Sequence, residues 1–67
     1  MERKKYFFQN STIRLEIRED SVGWYLFAYR PPFEKPFCDY LQDTKEDIFE
    51  DAKKMFGVES SQWKELK

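Results

Sequence analysis

The chain has 67 residues, which allows one domain with a single core, spanning residues 1–67. Twelve Lys and Arg residues nearly balance thirteen Asp and Glu residues, and the net charge of -1 gives no long-range attraction to nucleic acid or anionic lipid. The sequence has no His, which removes the commonest general base and metal ligand and disfavours most enzymatic interpretations. These values favour a small non-enzymatic domain without a cofactor, a catalytic residue or a metal ligand.

The cysteine content and hydropathy pattern predict a cytoplasmic location. Cys38 is the single cysteine, so the chain forms no internal disulfide and lacks the paired cysteines of small secreted domains. The longest apolar run covers residues 24–29, far short of the roughly 18 residues of a membrane span. The first ten residues lack the apolar stretch of a signal peptide. We therefore expect no export and no membrane association.

The first two thirds of the sequence predict β-structure. Residues 12–18 alternate between polar and apolar side chains, the pattern of a strand with one buried face. Turn-forming residues at 19–23 and an aromatic run at 24–29 complete a predicted hairpin. The proline-containing segment 30–36 reads as an extended loop before a short strand at 37–41. Residues 6–9 are a candidate fourth strand at one edge.

The remainder of the chain predicts one amphipathic helix. Apolar residues recur at helical spacing after position 41, namely Ile48, Phe49, Ala52, Met55 and Phe56. Thr44 and Asp47 fit an N-terminal capping box, and Gly57 fits a C-terminal cap followed by an apolar contact from Val58. Trp63 and Leu66 are expected to anchor a final turn. The fold class is therefore α+β, an antiparallel sheet of three or four strands with one helix across one face, in the order β-β-β-α.

The second strand of the hairpin is apolar on both faces, although one helix can cover only one of them. Trp24, Leu26 and Ala28 point one way, and Tyr25, Phe27 and Tyr29 point the other. We call the second set the aromatic stripe. The stripe is either a partner-binding surface or a patch covered by Tyr6, Phe8 or the segment from Trp63 to Leu66.

The hairpin register decides which set is exposed. A two-residue turn at Asp20 and Ser21 would place Ile17 opposite Trp24 and Leu15 opposite Leu26, leaving the aromatic stripe beside Arg14. A bulge at Gly23 would exchange the two faces. We favour the first register because it pairs apolar residues with apolar residues.

The leading functional hypothesis is a protein-interaction module that acts as an inhibitor, an immunity-like protein or an adaptor. It would bind a partner protein or a second copy of itself through an aromatic sheet face or the proline-rich loop. The predicted contact residues are Arg14, Tyr25, Phe27, Tyr29 and the loop residue Phe33.

The alternative hypothesis is a nucleic-acid-binding domain with a locally basic sheet face. Its predicted contact residues are Arg3, Lys4, Lys5, Arg14 and Arg18. Residues 1–36 carry seven basic and five acidic residues, whereas residues 37–67 carry five basic and eight acidic residues. The basic excess is small and Glu16 interrupts it, so this hypothesis ranks second.

Four short segments carry a family resemblance. They are Gly23-Trp24-Tyr25, residues 39–44 (DYLQDT), Phe56-Gly57-Val58 and Trp63. The chain resembles small uncharacterised bacterial proteins of β-β-β-α order that end in a helix, a Phe-Gly or Tyr-Gly step and a late Trp. The resemblance implies a fold and a bacterial source, and it carries no functional residues.

Overall fold

A computed structural model describes residues 3–66, which form five β-strands and one α-helix. In chain order the elements are β1 (Lys5–Gln9), β2 (Arg14–Asp20), β3 (Gly23–Tyr29), β4 (Pro36–Gln42), α1 (Lys45–Phe56), a 3-10 turn (Ser60–Gln62) and β5 (Lys64–Leu66). All neighbouring strands are antiparallel, and the order across the sheet is β4-β3-β2-β1-β5. The predicted α+β class and the antiparallel sheet are confirmed.

The sheet differs from the prediction at one side. The segment predicted as an edge strand is β1, but it lies between β2 and β5 because Tyr6 pairs with Glu65. Trp63 packs against the core as expected, whereas Leu66 is 39% exposed on β5 and anchors no turn. Three residues are too few for an alternating pattern to be recognised, so the sequence did not predict β5.

The β2–β3 hairpin has a different register from the predicted one. Asp20 pairs with Gly23, so Ser21 and Val22 form the turn, and Ile17 lies opposite Leu26 rather than Trp24. Gly23 has a φ of 148°, which favours glycine, directly after the turn. The register is shifted by two residues, and a shift of two keeps every side chain on its predicted face.

The helix has the predicted cap residues at both ends, although at Thr44 and Asp47 only one of the two hydrogen bonds of a capping box is present. The Thr44 hydroxyl oxygen accepts a hydrogen bond from the Asp47 backbone N–H at 3.2 Å. Gly57 adopts the left-handed conformation, with φ 73°, and its N–H donates to the Lys53 carbonyl at 3.0 Å. Val58 is 3% exposed and contributes the expected apolar contact. These caps satisfy backbone groups that a helix end would otherwise leave unpaired.

The core lies between α1 and one face of the sheet. Its buried side chains are Leu15, Ile17, Leu26, Ala28, Ile48, Ala52 and Val58. Aromatic side chains extend this core on the same side, with ring centroids 5.3 Å apart for Tyr6 and Phe49 and 5.5 Å apart for Phe49 and Trp63. Burial of these side chains is the main stabilising contribution to the fold.

Candidate functional site

The sheet has a second face, opposite α1, on which no other element of residues 3–66 packs. We call it the open face. The strand registers and the alternation of side chains assign its residues. They are Lys5, Phe7 and Gln9 of β1, Arg14, Glu16 and Arg18 of β2, Tyr25, Phe27 and Tyr29 of β3, Asp39 and Leu41 of β4, and Lys64 and Leu66 of β5.

The aromatic stripe lies on this open face. Tyr25 is opposite Arg18 and Tyr29 is opposite Arg14 on the neighbouring strand β2. The alternative prediction, in which Tyr6, Phe8 or the segment from Trp63 to Leu66 covers the stripe, is wrong. Leu66 lies on the open face, but on β5, which β1 and β2 separate from the stripe on β3. Tyr6 and Phe8 pack against the core on the helix side of the sheet, because they alternate along β1 with the residues of the open face. Trp63, which precedes β5, also packs against the core.

A carboxylate at the centre of the open face holds two arginines in place. Glu16 Oε2 accepts a hydrogen bond from Arg14 Nε at 2.8 Å, and Glu16 Oε1 pairs with Arg18. Burial raises the pKa of Glu16, but the hydrogen bonds and charges of Arg14 and Arg18 outweigh burial and bring this pKa below its ordinary value. Glu16 is therefore ionised at neutral pH and fixes both guanidinium groups.

Each arginine also covers an aromatic ring. The Arg14 guanidinium lies 5.0 Å from the Phe7 ring centroid, and the Arg18 guanidinium lies 5.1 Å from the Phe27 centroid. Tyr25 and Phe27 are stacked, with centroids 5.6 Å apart and ring planes at 18°. These distances are those of cation–π and aromatic pairs. The open face is thus a connected layer of rings and guanidinium groups rather than a set of separate side chains.

Tyr29 joins the same network through its hydroxyl group. The Tyr29 hydroxyl donates to Glu16 Oε1 at 3.4 Å, a long hydrogen bond. Burial and the negative charge of Glu16 raise the pKa of Tyr29. The hydroxyl therefore stays protonated, and because its single proton is donated to Glu16, it offers a partner its oxygen as a hydrogen-bond acceptor.

Phe33 is separated from the other predicted partner-binding residues. It belongs to the turn between β3 and β4, where its N–H donates to the Arg30 carbonyl at 2.7 Å. Phe33 has a positive φ of 67°, which is uncommon for a residue other than glycine. The structure places Arg14 and the aromatic stripe together and leaves Phe33 in the loop beyond the sheet.

The residues predicted for nucleic-acid binding are also divided. Lys5, Arg14 and Arg18 lie on the open face. Arg3 forms an ion pair with Asp20 at 2.6 Å, and the Lys4 backbone N–H donates to the Glu19 carboxylate. Arg3 is therefore partly neutralised, and Lys4 precedes β1 and adds no side chain to the open face.

The sequence analysis did not predict seven residues of the open face as contact residues, namely Phe7, Gln9, Glu16, Asp39, Leu41, Lys64 and Leu66. Phe7 lies under Arg14, and Lys64 and Leu66 join the face only because β5 pairs with β1. Glu16 was interpreted as an interruption of a basic surface, whereas it bridges the two arginines. The alternation Arg14-Glu16-Arg18 was the available signal, since residues two apart in a strand share a face.

Other parts of residues 3–66 offer weaker candidates. No group of three or more His, Cys, Asp or Glu residues in this range could hold a metal ion, and no helix in it is long and apolar enough to cross a membrane. Cys38 is half-buried and packs against the core. A shallow hollow of about 380 Å³ beside the start of α1 is lined by Tyr6, Phe49 and Trp63. Lys45 Nζ lies 5.1 Å from the Tyr6 centroid and already occupies the nearest aromatic surface.

Comparisons with family models, with curated proteins and with solved structures found no match to this chain. The resemblance to small uncharacterised bacterial proteins therefore stays a prediction.

Proposed function

We propose that this chain is a non-enzymatic protein-interaction module that binds a partner protein through the open face. One observation carries the proposal, namely that a layer of aromatic rings and arginines lies on a sheet face that no other part of residues 3–66 covers. Tyr and Arg are enriched at the energetic centres of protein interfaces. The stripe side chains are half-buried by their neighbours, and the part of their apolar surface that stays uncovered is of the kind that marks binding sites.

The arrangement of the side chains supports tight binding. Glu16 holds Arg14 and Arg18, and each guanidinium in turn lies over a ring. Side chains that are already fixed lose little conformational entropy when a partner binds. The open face is therefore prepared for a rigid docking event and needs no rearrangement of the backbone.

The charges indicate the chemistry of the partner. On β1, β2 and β5 the open face carries Lys5, Arg14, Arg18 and Lys64 against the single carboxylate of Glu16. On β3 it carries the uncharged aromatic stripe. A complementary partner surface would place apolar side chains against the aromatic stripe and carboxylates against the neighbouring basic residues.

Neighbouring side chains cover several rings of the open face, and this favours binding of a protein over binding of a nucleic acid. Base stacking needs a free ring face, but Arg14 covers Phe7, Arg18 covers Phe27, and Tyr25 stacks on Phe27. Arg14 and Arg18 also share one carboxylate, which weakens their attraction to phosphate. Nucleic-acid binding through Lys5, Arg14 and Arg18 therefore remains the second hypothesis.

The test is affinity capture by the tagged chain from a nuclease-treated lysate of the source organism. The wild-type chain is compared with Arg18→Glu and Tyr25→Ser, which alter the open face without touching the buried core. We expect a stoichiometric partner protein whose recovery falls by about tenfold or more in each variant. Purified partner and chain should then form the same complex, measured by calorimetry.

Two variants on the opposite side of the molecule provide matched controls. Lys54→Glu makes the same change in charge as Arg18→Glu. Met55→Ser replaces a large apolar side chain outside the open face by Ser, as Tyr25→Ser does for a half-buried ring on the open face. Both should recover the partner at the wild-type level. Equal losses in all four variants, or recovery of nucleic acid from a lysate without nuclease and nothing after treatment, would contradict the proposal. Self-association of the purified chain through the open face would show that the partner is a second copy.

A further inference from the structure

The two edges of the sheet are different. The β5 edge has three residues, Lys64–Leu66, two of which are charged. The β4 edge has seven residues, Pro36–Gln42, and no strand of residues 3–66 lies on its outer side. An edge strand presents unpaired backbone N–H and C=O groups to any extended chain that approaches. The β4 edge is therefore the longer available template for strand pairing.

The side chains of β4 are unusually apolar for an exposed edge. Phe37 is 43% exposed, Tyr40 is 38% exposed and Leu41 is 47% exposed. Leu41 pairs with Tyr25 and lies on the open face, whereas Tyr40 pairs with Leu26 and lies on the helix side. An added strand would thus find apolar contacts on both faces of the sheet, in addition to the backbone hydrogen bonds.

The charge on β4 determines which kind of strand can pair with its free edge. Asp39 is the only charged residue of β4 and lies at its centre, and Asp43 follows closely. A second copy of β4, paired antiparallel about its centre, would match Phe37 with Leu41 and Cys38 with Tyr40. The same register places Asp39 opposite Asp39 of the second copy, with Cβ atoms about 4.5–5.5 Å apart, which is unfavourable.

We propose that the β4 edge is a strand-addition site for an extended segment of a different protein. This segment alternates apolar side chains and carries Lys or Arg opposite Asp39. Asp39 has two effects in this site, because it repels a second copy of the chain and attracts the basic residue of the segment. The site shares Asp39 and Leu41 with the open face. It uses the backbone edge of β4 rather than the surface of the sheet, so strand addition does not require the interaction proposed for the open face.

The first test uses two forms of the whole chain. Wild-type protein and an Asp39→Lys variant are each expected to be monomeric, since like charges face each other when either pairs with itself. An equimolar mixture is expected to form a one-to-one dimer at low salt and to lose it at high salt, measured by sedimentation velocity with a reductant present. Asp43→Lys makes the same change in charge outside β4 and should form no dimer with wild type.

A second test does not depend on folding of the variant. Wild-type protein is titrated with a peptide of residues 36–42 in which Lys replaces Asp39 and Ser replaces Cys38, and with the matching peptide that keeps Asp. The Lys peptide should bind at least about tenfold more tightly and protect the β4 amides from hydrogen exchange. Equal affinities, protection elsewhere, no binding of the Lys peptide, or dimerisation of wild type through β4 would overturn the proposal.

Discussion

The guanidinium group of Arg18 on β2 lies 5.1 Å from the centroid of the Phe27 ring on β3. This pair joins the charged and aromatic parts of the open face, because Arg18 also binds Glu16. We expect Arg18→Ala to lower the free energy of unfolding by about 0.5–1 kcal/mol. Urea denaturation measures this change. Lys54→Ala removes an exposed ion pair without a ring contact and should leave the midpoint nearly unchanged, and an equal loss there would contradict the role of Phe27.

The carboxylate of Glu16 should make stability depend on acidity. Its pKa is lower in the folded chain than the ordinary value of 4.5, so the stability it adds is fully present at neutral pH. That stability is lost as the pH falls below about 4.5 and through the lower folded pKa. Glu16→Gln should cost about 1–2 kcal/mol at pH 7, since solvent screens part of the pair, and less at pH 3, which lies below the ordinary pKa of 4.5. Equal losses at both pH values, measured by urea denaturation, would show that Glu16 acts by packing alone.

The glycine after the β2–β3 turn should be more sensitive to substitution than the glycine that ends the helix. A Cβ atom at Gly23 would overlap the Gln42 carbonyl oxygen, whereas one at Gly57 would meet no atom within 4 Å. Both residues have a positive φ. We expect Gly57→Ala to cost about 1 kcal/mol and Gly23→Ala about 2–3 kcal/mol or more. Thermal unfolding of the two variants compares them directly, and the reverse order would contradict the close approach of β3 and β4.

The helix N-cap gives a local measure of helix stability. Thr44→Ala removes the hydroxyl group that accepts the Asp47 N–H, and it should cost about 0.5–2 kcal/mol. Thr44→Ser keeps the hydroxyl group and should restore most of the loss. Hydrogen exchange of the Asp47 amide should rise in the first variant only. Unchanged exchange in Thr44→Ala would show that this hydrogen bond contributes little in solution.

Much of the fold could be predicted because local patterns and tertiary structure agree. The alternation in residues 12–18 and the caps at Thr44 and Gly57 act over a few residues, and no distant contact overrides them. The faces of β3 were predicted correctly despite the wrong hairpin register. A shift of two residues does not change which way a side chain points.

The features that the sequence did not predict depend on contacts between residues far apart in the chain. Pairing of Tyr6 with Glu65 brings together residues from opposite parts of the chain, and no local pattern records it. The role of Glu16 also needed the structure, because a carboxylate between two arginines reads as an interruption until their side chains are seen to share it. The sequence also left open whether other aromatic residues cover the stripe, and this was decided only when Tyr6, Phe8 and Trp63 were located on the helix side. The three stripe side chains are half-buried on the open face.

Pairing of β1 with β5 has a mechanical consequence. Lys5 lies directly opposite Leu66, so the outer ends of these two strands meet at the same end of the ladder. A force that separates these ends would break the three residue pairs one after another, starting at Lys5 and Leu66. It would not load all three pairs at once, as a shearing force would. Because β5 is only three residues long, it should peel away under a small load while the hairpins of β2, β3 and β4 stay intact. Pulling on single molecules would reveal this as a short extension at low force before the main unfolding event.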